Sequence, residues 1–225
     1  MRKLLPFVAL LMVMALLVSA CAGAVAPAAP GAAPAEPAAA SGAQKLIWSV
    51  EGVNELPGLD PANPQNAQSI QAINLIFGGL VKLDDLLKVA PDGAESWTIS
   101  EDGTTYTFTI REGLMFADGT PVTAQNFADS INRALQPETA SYGASFQLGH
   151  IVGANDVASG AATEASGIVV VDDRTLQITL DDNVPYFLAQ LTYPVSFVVP
   201  MQAVESDPTG WTETAFGTGP FKVKE

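Results

Sequence analysis

Between residues 97 and 135 the chain packs two short strands, two Asp-Gly turns and one helix, with almost no slack. Tyr106, Phe108 and Ile110 alternate with Thr105, Thr107 and Thr109, the period-two pattern of a strand with one face buried. Asp102-Gly103 precedes this strand and Asp118-Gly119 follows it. Each supplies a residue that tolerates positive φ where the chain reverses. Thr123 offers a side-chain oxygen to the first free amides of a helix. Phe127, Ile131, Ala134 and Leu135 recur on one face of that helix, and Pro137 closes it. These residues predict an α+β globular domain.

Residues 45–50 read as a first strand. Leu59-Asp60-Pro61 and Asn63-Pro64 then force an irregular stretch, because proline pushes the preceding residue out of the helical region. Residues 69–77 place Ile70, Ile73, Ile76 and Phe77 on one helical face, and Gly78-Gly79 is expected to end that helix as C-cap glycines do. A strand over residues 80–83 follows. Residues 168–171 and 175–180 predict a hairpin turning at Asp172-Asp173. Pro185 can open a helix running to about residue 191, and residues 196–199 read as a buried strand closed by Pro200.

The chain has 225 residues, enough for one large or two small domains, and a formal net charge of -14. Nucleic-acid binding needs a basic footprint, and no Lys/Arg cluster occurs past residue 3. Arg2 and Lys3 precede an apolar run over residues 4–18, followed by Ser19-Ala20-Cys21. A basic start, a short apolar core and small residues before a cleavage point make a secretory signal over residues 1–21. Val18-Ser19-Ala20-Cys21 resembles the lipobox of bacterial lipoproteins, which implies lipidation at Cys21 and a membrane anchor. An ordinary signal peptide with an incidental cysteine, or an uncleaved anchor, fits the same residues. The chain has one cysteine, so it forms no internal disulfide. Residues 22–43 are nearly all Ala, Pro and Gly, and Pro27, Pro30, Pro34 and Pro37 read as a disordered tether.

Catalytic constellations are absent from this reading. His150 is the single histidine, so no imidazole-based triad and no histidine metal cluster is available. Asp172-Asp173 and Asp181-Asp182 fall at strand or hairpin ends, where they serve turns and solvation. Gly217-Thr218-Gly219-Pro220 lacks the Lys-Ser/Thr ending of a phosphate loop. No cofactor, no metal and no enzyme activity is expected.

The spelling of several segments carries more than their periodicity. Glu95-Ser96-Trp97, the run from Tyr106 through Arg111-Glu112-Gly113, and Phe116-Ala117-Asp118-Gly119-Thr120-Pro121-Val122-Thr123-Ala124 closely resemble the family 5 extracellular solute-binding proteins, which deliver peptides to ABC importers. Leu59-Asp60-Pro61, Val171-Asp172-Asp173 and Gly217-Thr218-Gly219-Pro220-Phe221 match in the same order. The resemblance implies an α/β fold of the periplasmic-binding-protein type II kind, two-lobed with an inserted α+β subdomain. Residues 44–77 and 201–225 would form part of the first lobe and residues 78–200 the insertion. Members of the family are much longer, so the resemblance also implies an N-terminal fragment from which the C-terminal lobe is missing.

The implied function is extracytoplasmic capture of oligopeptides, on a protein exported and lipid-anchored at the membrane or held in the periplasm. The implied partners are a peptide ligand and an ABC permease. By analogy with the oligopeptide-binding branch, Gln65, Asn66, Ala67 and Tyr142 would meet the ligand. That branch carries a carboxylate where Gln65 stands, and Tyr142 sits one position early. The family usually has leucine where Gly93 stands, implying a lost core contact, and an acidic residue where Asn126 stands. Another cargo, such as an oligosaccharide or a nickel complex, or a surface lipoprotein remnant without a closed site, is compatible with the same residues.

Overall fold

A computed structural model describes Leu56 and residues 58–223. The expected strand at residues 45–50, the tether and the leader with Cys21 lie outside the described residues. In chain order the elements are helix α1 (Ala67–Ile76), strands β1 (Val81–Leu83), β2 (Val89–Pro91), β3 (Ala94–Ile99) and β4 (Thr105–Ile110), and helix α2 (Ala124–Leu135). Short helices α3 (Ala144–Leu148) and α4 (Ala154–Ala158) lead to strands β5 (Ile168–Asp172) and β6 (Thr175–Thr179), then helices α5 (Phe187–Gln190) and α6 (Met201–Ser206).

Strands β1 and β2 form an antiparallel hairpin, and the other four make an antiparallel sheet in the order β3-β4-β6-β5. Register places Trp97 opposite Phe108, Phe108 opposite Leu176, and Tyr106 opposite Ile178. Alternation along β4 therefore buries Tyr106, Phe108 and Ile110, while the intervening threonines stay half-exposed. Their shared face packs with Phe127, Ile131, Ala134 and Leu135 of α2 in one apolar cluster. The Tyr106 ring lies 5.1 Å from that of Phe187, and its hydroxyl donates to the Val184 carbonyl at 3.3 Å. Burial pushes this phenol above its ordinary pKa.

Gly103 and Gly119 have φ of 75° and 89°, as the two Asp-Gly turns require. Thr123 occupies the N-cap of α2 in extended conformation. The cap bonds run largely toward Asn126, whose Oδ1 accepts from the Thr123 amide at 2.8 Å and from its hydroxyl at 3.2 Å. An amide oxygen thus does at Asn126 what a carboxylate does in a capping box.

A second apolar cluster joins Ile73, Ile76 and Phe77 to Phe197, Val199, Val204, Trp211 and Ala215. The ring planes of Phe77 and Trp211 meet edge to face at 5.9 Å.

Four local expectations are corrected. Helix α1 does not end on a left-handed glycine: its C-cap is Phe77 in extended conformation, and Gly78 and Gly79 serve close packing instead. A Cβ on Gly79 would lie 2.9 Å from the Phe197 ring. Residues 196–199 are buried but form no strand, for the Val198 amide donates to the Gly78 carbonyl and the Val199 amide to Ser130 Oγ. The helix after Pro185 is confined to Phe187–Gln190. Gly93 leaves no hole where a leucine would sit: a Cβ there would lie 2.6 Å from Phe127 Cζ and 2.7 Å from the Gly79 carbonyl oxygen. The Phe127 ring already fills that space.

Candidate functional site

The two segments expected to meet a ligand are the loop entering α1 and the loop leaving α2. In the first, Asp60 organises its own backbone: Oδ1 accepts from the Ala62 amide at 2.9 Å, and its carbonyl accepts from the Asn63 amide at 3.1 Å. This turn delivers Asn66 to the N-cap of α1, where its Oδ1 accepts from the Ser69 amide at 2.7 Å. Gln65 and Ala67, on either side, are exposed. Asn66 therefore has a folding task, and Gln65 and Ala67 present side chain and backbone to solvent around it.

In the second, Pro137–Thr139 forms a 3-10 turn and Ala140 takes a left-handed conformation, φ 50°. Thr139 Oγ1 donates to the Arg133 carbonyl at 2.6 Å, fastening the loop to the end of α2. Ser141 Oγ accepts from the Ala144 amide at 3.1 Å, and Tyr142 between these anchors is 96% exposed.

Sequence reasoning did not foresee the joint between these loops. Arg133, in the last turn of α2, donates from Nη1 and Nη2 to the two oxygens of Asp60, at 3.0 and 2.5 Å. Both side chains are largely buried, and the guanidinium carbon also stands 5.7 Å from the Trp211 ring centroid. Gln65, Asn66 and Ala67 are thus brought together at one helix start, and Tyr142 sits on a separate loop tied to them through Asp60 and Arg133. The signal was present: Arg133 is the one basic residue in α2, and Asp60 lies in a motif already singled out.

The remaining polar motifs have structural duties. The His150 ring meets Tyr186 edge to face at 6.3 Å, and its carbonyl accepts from the Asp181 amide. Asp172 turns the β5–β6 hairpin, accepting from the Arg174 amide at 2.8 Å and the Thr175 hydroxyl at 3.0 Å. These two bonds, the amide first, hold its carboxyl below the ordinary range. The Ser100 hydroxyl and the Thr104 amide do the same at Asp102, and the Thr120 amide at Asp118. Gly217 and Gly219 let their loop lie against the end of α1, since a Cβ on Gly217 would stand 2.5 Å from the Ile76 carbonyl oxygen. Among the described residues no three His, Cys, Asp or Glu side chains gather as metal ligands do. Nor, among them, is any helix long and apolar enough to cross a membrane.

Comparison with known proteins gives a consistent set of likenesses. The family described as bacterial extracellular solute-binding proteins, family 5 Middle, matches residues 88–225. The periplasmic oligopeptide-binding protein OppA of Escherichia coli strain K12 is 36% identical over 162 residues, covering 71% of this chain and 30% of that protein. From the same strain, the probable deoxycholate-binding periplasmic protein YgiS is 36% identical over 70% of this chain and 30% of its own length. The solved structure of the Escherichia coli murein tripeptide binding protein MppA superposes with a TM-score of 0.69 at 36% identity, over 74% of this chain and 33% of that one. The chain spans about a third of the length of the proteins it matches.

Proposed function

Because the chain belongs to the bacterial extracellular solute-binding proteins of family 5, we propose that it serves the capture step of an ABC importer, holding an oligopeptide outside the cytoplasm and handing it to a membrane permease. The family consists of solute-binding proteins rather than enzymes, and this reading assigns the chain no catalytic step. The observation that carries it is agreement in both sequence and backbone with relatives named for binding peptides.

In this reading Gln65, Ala67 and Tyr142 face an extended peptide, with Asn66 holding the helix start in place. Pairing through the peptide main chain is indifferent to side-chain identity, which gives broad specificity. Arg133 and Asp60 set the spacing of the two loops and touch no ligand. Residues 44–77 with 201–225 form part of one lobe and residues 78–200 the inserted subdomain, with Phe197 and Val199 packing across to the first group and Ala62 to the second. Ligand would bridge two lobes and close a hinge before docking on the permease. Cys21 carries the lipid, each buried methylene adding about 0.8 kcal/mol of membrane affinity. Metabolic labelling with a palmitate analogue, lost in Cys21→Ser, checks that anchor.

The likeness to a probable deoxycholate-binding protein supports a second reading, in which the same fold takes a different solute. Isothermal titration of the gene product carrying these residues separates the two. Heat with mixed tri- to pentapeptides is expected; no heat with any peptide overturns the first reading, and heat with deoxycholate alone establishes the second.

A further inference from the structure

We propose that a cavity of about 480 Å³ between the end of α1 and the β1–β2 hairpin binds a small monocarboxylate carrying an apolar group. Two cations line it, Lys82 on β1 and Arg111 just after β4. Both are aimed by one residue. Lys82 Nζ lies 3.2 Å from Asp92 Oδ1, while Arg111 donates from Nε and Nη2 to the Asp92 main-chain oxygen at 3.1 and 2.9 Å. A main-chain carbonyl orients the guanidinium without neutralising it, so one carboxylate faces two positive charges. The neighbouring carboxylates Glu95 and Glu112 are engaged by Arg174, at 2.9 and 3.8 Å. Glu95 and Glu112 share that one cation and lie outside the lining, whose own charged residues, Lys82, Arg111 and Asp92, sum to one positive charge.

Leu114 and Pro220 supply apolar lining, with the largely buried rings of Phe77 and Phe197 behind them. A Cβ on Gly78 would lie 2.8 Å from both Asp92 Oδ2 and Thr218 Oγ1, so the glycine lets that carboxylate and hydroxyl lie close against the backbone. A single surplus positive charge among the lining residues, beside apolar side chains, fits a monoanion with an apolar body, since a more highly charged ligand would leave anionic groups unpaired. Gln65, Asn66, Ala67 and Tyr142 are not among the residues lining this cavity, so the inference goes beyond the proposed peptide capture and stands independently of it.

The test is titration of the full chain with N-acetyl-leucine, and with N-acetyl-leucine amide as its uncharged counterpart, following the backbone amides of Gly78, Gly93 and Gly219 by NMR. The carboxylate is expected to shift these amides saturably and the amide counterpart to bind about tenfold more weakly. Lys82→Gln, at an exposed side chain that leaves the fold intact, should raise Kd about fivefold. Salt near ~1 M, where the screening length shrinks to about 3 Å, should weaken binding similarly. Equal response to both compounds, no saturable shift, or shifts centred on Ala67 and Tyr142 instead would each overturn the proposal.

Discussion

Three groups converge on Arg133: the Asp60 carboxylate, the Trp211 ring, and the Thr139 hydroxyl on its carbonyl. Removing its charge strands a largely buried carboxylate that otherwise accepts from the Ala62 amide. Arg133→Met is therefore expected to cost about 2 kcal/mol, less than a fully buried pair loses because Asp60 retains some water. Urea unfolding of Arg133→Met, Asp60→Asn and the double variant gives the coupling directly, and additive losses would show the pair to be uncoupled. Leu87 predicts the opposite sign. It is 78% exposed at the tip of the β1–β2 hairpin with φ 58°, a left-handed conformation that costs a side-chain-bearing residue about 1 kcal/mol. Leu87→Gly should stabilise by about 0.5 kcal/mol after the added freedom of the unfolded chain is charged against it, seen as a raised denaturation midpoint. The sequence marks both residues but not their pairing, for a physical reason. Its partners stand 73 residues apart, and spacing patterns report only what one element brings onto one face.

Turns are the elements whose chemistry was most legible. Asp102, Asp118 and Asp172 each accept a backbone amide two residues on, and each is held below the ordinary carboxylate pKa by those bonds. A carboxyl with a depressed folded pKa contributes stability that is present above the unfolded value, about 3.9, and lost as pH falls through the folded one. Thermal unfolding followed between about pH 5 and pH 2 should show Tm falling below pH ~4. Replacing all three with asparagine, which keeps an acceptor and cannot titrate, should flatten that fall; an unchanged slope would locate the acid sensitivity elsewhere. The strands β4 to β6 and helix α2 were equally legible, because period two and period 3.6 each bury one face. Residues 196–199 misled for the same reason. Phe197 and Val199 enter one apolar cluster and Val198 the other, so an alternating burial arises without any strand partner. Periodicity reports burial on two faces, not a hydrogen-bonded ladder. Gly78 and Gly79 misled because a glycine required for close approach is spelled like one required for a positive φ.

At the scale of the whole described structure, two apolar clusters of unequal size share one chain. The larger spans the four-stranded sheet and α2; the smaller gathers α1 with the segments around Phe197, α6 and Trp211. Its members come from residues 73–77 and 197–215, a discontinuity that no local pattern discloses. The smaller cluster has fewer buried side chains to hold it, and the polar links across to α2 are few: the Val199 amide to Ser130, and Arg133 to Trp211 and Asp60. Local opening should therefore reach it before global unfolding does. In native-state hydrogen exchange, amides of α1 and α6 are expected to exchange at least about tenfold faster than those of β4, β6 and α2, equivalent to an opening roughly 1.4 kcal/mol cheaper. Trp211→Ala discriminates the cause. Losing this ring from the smaller cluster should cost about 3 kcal/mol there. If the clusters open separately, exchange accelerates in α1 and α6 while Tyr106, Phe108 and Ile110 keep their protection. Equal acceleration throughout would mean that Ser130 and Arg133 bind the two cores into a single cooperative unit, and that any hinge in this fold lies outside the residues described.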